Sequence, residues 1–431
     1  MDSDSVRDAG RRRLLGWGGL GIAGMAVGGA QLIGAGAGHA APTSTGADAV
    51  ADTAAGADAD AVPPATRPGG AYDRYVAQLA AEDKFSGVVM LSHRGRTVLS
   101  RSYGMADKEK GVRNHEGVAF NLSSAGKPFG ALAVLQLAQQ GRLRLWDTVG
   151  THLTGFPKDI AEQVTIHHLL SGTSGLHTPP EDLQRVFQSR EEVREFYGQW
   201  ARQSKLVSVP GTPTDHAGAE VAIPALIVEA VSGMTYWDYV QEHVFRRCGM
   251  SGTGFYTRPQ WLTDPHIAHS YMRQADGTRV DAVRNLDKGS PDPHQLGKNP
   301  GRSFIDPPGD AGFATAPDLV RFAHALTDGT LLDRPYVDVA LAPKLPLAPQ
   351  GGGLAAPKAA PGDASFATYT MPVSIINGQW VRGRAGVNPG SVASWNIYPY
   401  SGWVGVVLGN YDDVPFQQII QQEMHAVLGP H

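Results

Sequence analysis

The 431-residue chain predicts an α+β fold with one antiparallel sheet, built from both termini and flanked by helices, plus a helical subdomain. Each end of the chain has the pattern of one amphipathic helix and two strands, which predicts the shared sheet. The segment from Ser124 to about Phe245 is mainly helical in its pattern, which predicts the subdomain. A chain of this length with 42% hydrophobic residues can bury a large core, which excludes a disordered protein.

The N-terminal part of the predicted sheet follows one helix. Apolar side chains recur at helical spacing in Tyr72, Tyr75, Val76 and Leu79. Two strands are predicted next, over Ser86–Ser92 and Thr97–Tyr103, because both segments are rich in β-branched and apolar residues. A glycine marks the turn between them, so the two strands should form a hairpin.

The C-terminal part has the same elements in the opposite order. Val392–Tyr398 and Trp403–Leu408 are separated by a turn with proline and glycine, which predicts a second hairpin. A helix begins after Pro415, with one apolar side formed by Phe416, Ile419, Ile420, Val427 and Leu428. Upstream of this hairpin, Pro343–Pro361 is rich in alanine, glycine and proline, and we interpret it as a surface loop.

The first residues resemble an export signal rather than folded structure. Arg11 to Arg13 precede a glycine-rich apolar run and then small residues up to Pro42, which predicts a cleavable twin-arginine signal over residues 1–40. Glycine dilutes the run too much for a membrane anchor, and no cysteine near the cleavage region could be lipidated. The composition of residues 41–70 predicts a disordered linker. We therefore expect a secreted or extracytoplasmic protein whose residues 71–431 form the folded domain, with the helical subdomain at about 124–300.

Charge and composition exclude several function classes. The net charge is −4, which makes nucleic acid or an anionic membrane surface an unattractive partner. The single cysteine, Cys248, permits no intramolecular disulfide and is interpreted as a packed side chain. The pairs His266/His269 and His167/His168 lack the acidic pattern of a metal site, so we predict no metal and no cofactor. The expected partner is a small-molecule or peptide substrate, with no stable membrane association after signal cleavage.

One serine–lysine pair has a spacing that suits nucleophilic catalysis. Ser124 and Lys127 open a strongly apolar helix that stops at Gly141, which puts hydroxyl and amine on one helical face. A buried lysine can lose its proton through desolvation and act as a base toward the serine, while the helix N-terminus stabilises negative charge. The alternative is a helix-capping serine beside a surface lysine. Only Lys127 among the lysines follows a serine at this spacing, and its helix is too apolar for an ordinary surface helix.

Short motifs surround this pair along most of the chain. In chain order they are Phe85–Val89, Tyr103–Asp107, Phe120–Lys127, Gly141–Leu145, His168–Leu176, Cys248–Met250 and Ala311–Thr315. In this order, over about residues 72–428, they resemble the serine beta-lactamase and penicillin-binding-protein superfamily, specifically its class C-like serine hydrolases, esterases and D-peptidases. The resemblance implies a beta-lactamase/transpeptidase-like fold, in which Ser124 is the acylated nucleophile and Lys127 is its proton acceptor.

The second motif of that family, Tyr-x-Asn, is altered. It is expected between Pro210–Thr212 and Ile227–Gly233, where this chain has His216 followed two residues later by Gly218. By resemblance, position 218 would face the substrate, but glycine lacks the side-chain donor and acceptor of the family's asparagine. None of the 13 tyrosines begins a Tyr-x-Asn, so the motif has not moved elsewhere. In one interpretation His216 takes the acid–base role, influenced by Asp215, because imidazole titrates near neutrality. The other interpretation is a degenerated site with a spare histidine.

The third motif, Lys-Thr-Gly or His-x-Gly, is present as Arg384-Ala385-Gly386, followed by Val387. Arginine keeps the positive charge and adds a fork that can bind a substrate carboxylate, but it cannot donate a proton near neutrality. By resemblance, the backbone N–H groups of Ser124 and Val387 would form the oxyanion hole, which needs no particular side chain. The alternative for Arg384 is a solvated strand residue.

Two functions from different classes follow from these residues. The first is an exported serine hydrolase or acyltransferase that forms an acyl-enzyme on Ser124 from an ester or amide. Esterase, peptidase or transacylase activity is favoured over efficient beta-lactamase activity, because the residue types that hold and deacylate lactams have changed. The second is a catalytically impaired pseudoenzyme that binds a ligand in the same cleft.

Overall fold

The structure is a computed structural model, and it describes residues 62–214, 218–347 and 363–429. The helices are α1 (Ala71–Ala81), α2 (Pro128–Gln139), α3 (Val149–His152), α4 (Lys158–Gln163), α5 (Ile166–Ser171), α6 (Arg190–Arg202), α7 (Ala219–Ser232), α8 (Tyr236–Val240), α9 (Arg258–Thr263), α10 (Ala316–Ala325), α11 (Arg334–Leu341) and α12 (Phe416–Leu428). Short 3-10 turns occupy Pro64–Thr66, Ser123–Gly126 and Pro300–Arg302, and a π turn occupies Gln241–Phe245.

The strands fall into one large sheet and several short pairs. In chain order they are β1 (Gly87–His93), β2 (Arg96–Tyr103), β3 (Met105–Asp107), β4 (Val112–Arg113), β5 (Phe120–Asn121), β6 (Leu176–His177), β7 (Lys205–Leu206), β8 (Tyr271–Arg273), β9 (Arg279–Asp281), β10 (Phe313–Ala314), β11 (Leu345–Leu347), β12 (Ala364–Ala367), β13 (Val373–Ile376), β14 (Gln379–Asn388), β15 (Ser391–Tyr398) and β16 (Trp403–Gly409).

The N-terminal and C-terminal hairpins meet in the centre of the large sheet. Within the described ranges this sheet has eight strands in the order β11-β12-β13-β14-β15-β16-β1-β2. All neighbours are antiparallel, and β1 pairs with β16 from Gly87 opposite Gly409 to His93 opposite Trp403. This confirms the predicted α+β fold with an antiparallel sheet built from both termini.

The sheet has a hydrophobic core on each face. On one face α1 and α12 pack through residues such as Tyr72, Val76 and Ile419. The apolar stripes predicted for both terminal helices therefore face the sheet. On the other face, Trp395 and Val88 belong to the larger core, which continues into the helical middle of the chain. Successive residues of β1 and β15 point to opposite faces of the sheet, so each strand contributes apolar side chains to both cores.

Helices α2 and α7 lie inside the larger core and position the site. Nearly every residue of α2 is buried, which explains why its sequence is apolar on all sides. In the described part of the chain, no single helix is long and apolar enough to cross a membrane. Helix α7 passes that test only together with Tyr236–Phe245, from which it is bent by 79°.

Two predicted boundaries need correction. The linker predicted over residues 41–70 extends too far, because Pro64–Thr66 forms a 3-10 turn with Thr66 buried. Its neighbour Ala65 packs against the core beneath α1 and α12, which offsets the cost of ordering. The loop predicted over Pro343–Pro361 begins with strand β11, whose backbone pairs with β12 in spite of its proline. Residues 1–61, with the predicted export signal, and residues 348–362 lie outside the described residues.

A buried carboxyl group lies between the sheet and α12. Glu423 is 0% exposed, and its Oε1 accepts hydrogen bonds from Asn396 Nδ2 and the Tyr398 hydroxyl, both at 2.9 Å. Burial raises the pKa of Glu423 to about 7, and these two hydrogen bonds only partly oppose the rise. The protein therefore keeps a proton on this side chain at a pH where an unfolded chain would release it.

Glu423→Gln is expected to remove a pH dependence of stability. Because the folded pKa is raised above the ordinary value of 4.5, the contribution of Glu423 is fully present below pH 4.5 and is lost as pH rises toward 7. Urea unfolding should show the variant similar to wild type at pH 4.5 and more stable by about 2–3 kcal/mol at pH 8. An equal difference in the free energy of unfolding at both pH values would contradict this assignment.

Candidate active site

Ser124 lies in a strained 3-10 turn directly before α2. The sequence analysis placed this serine in the helix itself, whereas α2 begins only at Pro128. Ser123 has φ of +47°, a left-handed conformation that costs energy for a residue with a side chain. Its backbone N–H donates to Asn121 Oδ1 at 3.1 Å, and its hydroxyl donates to the Val387 carbonyl at 2.9 Å. Contacts on both sides therefore fix the backbone that presents Ser124.

A second layer of polar contacts supports this turn from the protein side. Asn388 Nδ2 donates to Asn121 Oδ1 at 3.0 Å, so the same amide oxygen links the turn to β14. Asp306 accepts from the Gly312 backbone N–H at 3.0 Å and lies 3.4 Å from Asn121 Nδ2. Burial raises the pKa of Asp306 to about 7. The sequence analysis did not single out Asp306.

Lys127 immediately precedes α2 and is half-buried at the wall of a cavity. Burial lowers the pKa of Lys127 to about 8. The negative charge of Asp310 opposes this lowering, and the positive charge of Arg384 adds to it. Lys298 lowers it further and Glu220 raises it. A substantial fraction of this amine is therefore neutral slightly above pH 7, as a base toward Ser124 requires.

The backbone of β14 packs directly against the serine turn at Gly386. A Cβ atom on this residue would lie 2.3 Å from the Leu122 carbonyl oxygen and 2.7 Å from the Ser124 nitrogen. Only glycine permits this approach, because any side chain would push the turn and the strand apart. Gly386 of the third motif therefore lies against the serine turn.

The edge of β14 that faces the turn presents the Val387 amide group. Asn388 and Ser391 flank the two-residue turn between β14 and β15, so they form a hydrogen-bonded pair. The next pair, Val387 and Val392, is then a non-hydrogen-bonded one, and the backbone N–H and C=O of Val387 point away from β15. Its carbonyl accepts from Ser123 on that outer side. Since N–H and C=O of one strand residue point to the same edge, the Val387 N–H also faces the serine turn. The N–H groups of Ser124 and Val387 lie on facing segments, as an oxyanion hole requires.

Arg384 contacts the main chain of the serine turn. Its Nε donates to the Ser124 carbonyl oxygen at 2.7 Å, and the Trp395 indole N–H donates to the neighbouring Ala125 carbonyl at 3.0 Å. Burial lowers the pKa of Arg384, partly offset by Asp310, and the guanidinium remains charged at neutral pH. The sequence analysis assigned this side chain to a substrate carboxylate or to solvent, whereas one of its donors holds the turn.

The second motif is only partly visible. His216, with its neighbour Asp215, lies outside the described residues. Gly218 precedes α7 and faces the Trp200 ring, which a Cβ atom would approach to 2.2 Å. Trp200 is held by a hydrogen bond from its indole N–H to the Pro179 carbonyl at 2.9 Å. This corrects the expectation that position 218 faces a substrate, because a side chain there would meet the Trp200 ring.

Glu220 is a site residue that the sequence analysis missed. It lines a cavity of about 200 Å³ together with Lys127 and Arg384. Its Oε1 accepts from the Ser174 hydroxyl at 2.5 Å and from the Ser174 backbone N–H at 3.2 Å. A signal was present, because Glu220 is an acidic residue in the first turn of the otherwise apolar helix α7, four positions after His216 in the sequence.

The histidine pairs considered for metal binding have other contacts. His269 is buried and its Nδ1 lies 2.8 Å from Asp281 Oδ2, while His167 Nδ1 lies 2.5 Å from the Tyr369 hydroxyl. Across residues 62–214, 218–347 and 363–429, no group of three or more His, Cys, Asp or Glu side chains could hold a metal ion. Burial raises the pKa of the half-buried Cys248 to about 12, which disfavours its thiolate.

Comparisons with known proteins give a family match and similar folds. The Beta-lactamase family model matches residues 72–428. The "Putative penicillin-binding protein PbpX" of Bacillus subtilis (strain 168) is 26% identical over 264 residues, which cover 59% of this chain and 58% of that protein. The matched stretch thus spans less than two thirds of this relative.

Solved structures share the fold at low identity. A penicillin-binding protein from Bacillus halodurans aligns with a TM-score of 0.65 at 22% identity, covering 82% of this chain and 98% of that one. EstCE1, described as a hydrolase with promiscuous acyltransferase activity, aligns with a TM-score of 0.64 at 21% identity, covering 83% and 98%. The D-amino acid amidase of Ochrobactrum anthropi SV3 aligns with a TM-score of 0.61 at 16% identity, covering 84% and 98%.

Proposed function

The chain belongs to the beta-lactamase family within the serine hydrolase superfamily, and from that premise we propose that it is an exported hydrolase or acyltransferase acting through a Ser124 acyl-enzyme. The observation that carries the proposal is the position of Lys127. Its amine is half-buried three residues after Ser124, and burial lowers its pKa to about 8. A lysine in this state can take a proton near neutral pH, which an ordinary surface lysine cannot do.

The proposed acylation uses the strained turn and the β14 edge together. Ser124 Oγ attacks the carbonyl carbon of the substrate while Lys127 takes the hydroxyl proton. The carbonyl oxygen becomes negative and accepts hydrogen bonds from the backbone N–H groups of Ser124 and Val387. Arg384 supports the geometry by holding the Ser124 carbonyl, so its charge lies close to the oxyanion without acting as an acid.

The proposed substrate is an ester or an amide of a small molecule or peptide. The neighbours described as an amidase and as a hydrolase with acyltransferase activity support this range. Efficient beta-lactamase activity is not proposed, because His216 and Arg384 stand where the family has tyrosine and lysine or histidine. Export rests on the sequence of residues 1–40, and an acid–base role for His216 rests on its place in the second motif.

The alternative is a pseudoenzyme that binds a ligand in this cleft without turnover. The bond from Arg384 Nε to the Ser124 carbonyl favours it, because this guanidinium is committed to the main chain rather than to proton transfer. The Trp200 ring beside Gly218 also blocks the direction in which the family's asparagine would extend. Both functions share the fold and differ in whether Ser124 is nucleophilic.

Covalent labelling separates the two. The mature protein should gain the mass of one phosphonyl group after exposure to a fluorophosphonate, and intact-mass spectrometry should show none on Ser124→Ala. A panel of small esters and D-amino acid amides should then show which acyl group the serine accepts. A folded wild-type protein that never gains mass with any of these reagents would favour the pseudoenzyme.

A further inference from the structure

The Glu220 carboxyl group shares a cavity with Lys127 but has no assigned role in the acylation described above. It stands on the first turn of α7, and Ser174 donates to its Oε1 from both hydroxyl and backbone N–H. The Thr214 side chain makes a further hydrogen bond to it. These donors hold the carboxyl group at the wall of the cavity that Lys127 and Arg384 also line.

The two groups influence each other's protonation. Burial raises the pKa of Glu220 to about 7, although the hydrogen bonds from Ser174 and Thr214 and the charge of Lys127 all favour the carboxylate. Burial brings the pKa of Lys127 down to about 8, and Glu220 is among the groups that raise it. Burial therefore brings the two pKa values close together, which favours exchange of a proton between the two side chains. A carboxyl group that served only to anchor Ser174 would not need this proximity to a base.

We propose that Glu220 is the acid–base partner of the Ser124–Lys127 pair, protonating the leaving group in acylation and deprotonating the acyl acceptor in deacylation. This inference rests on the proposed function. In acylation, Ser124 Oγ bonds to the acyl carbon and its proton passes to Lys127. The bond from the acyl carbon to the leaving group breaks, and the leaving group takes the proton of the Glu220 carboxyl.

Deacylation reverses these transfers. The hydroxyl oxygen of water or another acceptor bonds to the acyl carbon, and its proton passes to the Glu220 carboxylate. Ser124 Oγ leaves and takes its proton back from the Lys127 ammonium. Both side chains then return to their starting state, so no further proton donor is needed to complete the cycle.

The pH dependence follows from the whole set of charges around the pair. Asp310, Arg384 and Lys298 act on Lys127 together with Glu220, whereas Ser174 and Thr214 contact Glu220 through uncharged groups. The state that holds one proton between the two side chains is the active one. We therefore expect kcat/KM to fall below about pH 7, where both are protonated, and above about pH 8, where both are deprotonated.

Leaving-group dependence distinguishes this role from a structural one. An alkyl ester needs a proton on its leaving alkoxide, whereas a nitrophenyl ester does not. Glu220→Gln keeps an oxygen that accepts from Ser174, and it should lower kcat/KM for the alkyl ester about a hundredfold and for the nitrophenyl ester less than tenfold. The fall above pH 8 should disappear. The fall on the acid side should then follow Lys127 alone and lie between about pH 7 and 8, because the carboxylate no longer titrates and no longer raises the pKa of Lys127.

Three comparisons keep the inference separate from the proposed function. Glu220→Asp retains an acid and should recover part of the alkyl-ester rate, while Glu162→Gln, the same exchange at an exposed residue paired with Lys158, should leave the leaving-group dependence unchanged. Fluorophosphonate labelling of Ser124 should persist in Glu220→Gln, because fluoride departs without a proton. Equal losses on both esters would overturn the role of Glu220, as would a selective loss in His216→Gln instead. A wild-type protein without any adduct would overturn the proposed function itself.

Discussion

Lys127→Arg is expected to lower kcat/KM for an activated ester about a thousandfold, although the positive charge is kept. Lysine can act as a base here because burial lowers its pKa to about 8. Arginine stays protonated under the same burial, so it cannot accept the proton of Ser124. Lys127→Met, which removes the charge and keeps a similar length, should be equally inactive. Steady-state ester hydrolysis and the rate of fluorophosphonate labelling report this loss directly.

The comparison of the two variants identifies the function of the amine. If arginine retained more than a tenth of the wild-type rate while methionine did not, Lys127 would act through its charge and not as a base. Lys84→Arg is a matched control, since the same exchange occurs at an exposed residue paired with Glu82. Thermal unfolding of each variant should be measured, because a larger side chain at a half-buried position can also lower stability.

Gly386→Ala is expected to reduce ester hydrolysis about a hundredfold, although it changes none of the side chains proposed to act in catalysis. The added methyl group would approach the Leu122 carbonyl oxygen to 2.3 Å and the Ser124 nitrogen to 2.7 Å, so the turn and β14 must separate. That movement pulls the Ser124 and Val387 N–H groups apart. Loss of one oxyanion donor, or a misplacement of about 1 Å, costs an enzyme about a hundredfold.

The loss should appear mainly in kcat, because the oxyanion donors act most strongly on the transition state. Gly198→Ala provides the control, since a methyl group added there in α6 meets nothing closer than 3.5 Å. That variant should keep wild-type activity and gain slightly in helix stability. Wild-type kinetics in Gly386→Ala would mean that the contact between β14 and the serine turn does not set the reaction geometry.

The two terminal hairpins and helices were predictable because their patterns are local. A run of β-branched and apolar residues along β1 and helical spacing along α12 identify these elements, and neither signal depends on the partner element. The strands β11, β12 and β13 escaped prediction for the opposite reason. They are three or four residues long and mostly half-buried, so pairing with their neighbouring strands supplies much of what holds them.

The same difference between local and long-range contacts applies to the site. The closeness of Ser124 and Lys127 could be predicted from their spacing in the sequence, because a helical turn brings residues three apart onto one face. The conformation of the turn that carries Ser124 could not be read in this way, since the left-handed Ser123 is stabilised by Val387 from a distant strand as well as by the nearby Asn121. Sequence reasoning therefore assigned Ser124 to the helix instead of to a strained turn.

Three features of the site are set by the tertiary structure alone. The Trp200 ring occupies the direction that a side chain at position 218 would take, and Ser174 fixes the Glu220 carboxyl beside the cavity of Lys127. Arg384 donates to the Ser124 carbonyl although its motif suggested a substrate contact. From the sequence alone it was possible to predict the family, the central hairpins and the Ser124–Lys127 pair as the candidate site, because these depend on local periodicity and motif order. The groups that are buried beside Ser124 and Lys127 are set by contacts between residues far apart in the chain. The protonation of these groups therefore depends on the same contacts.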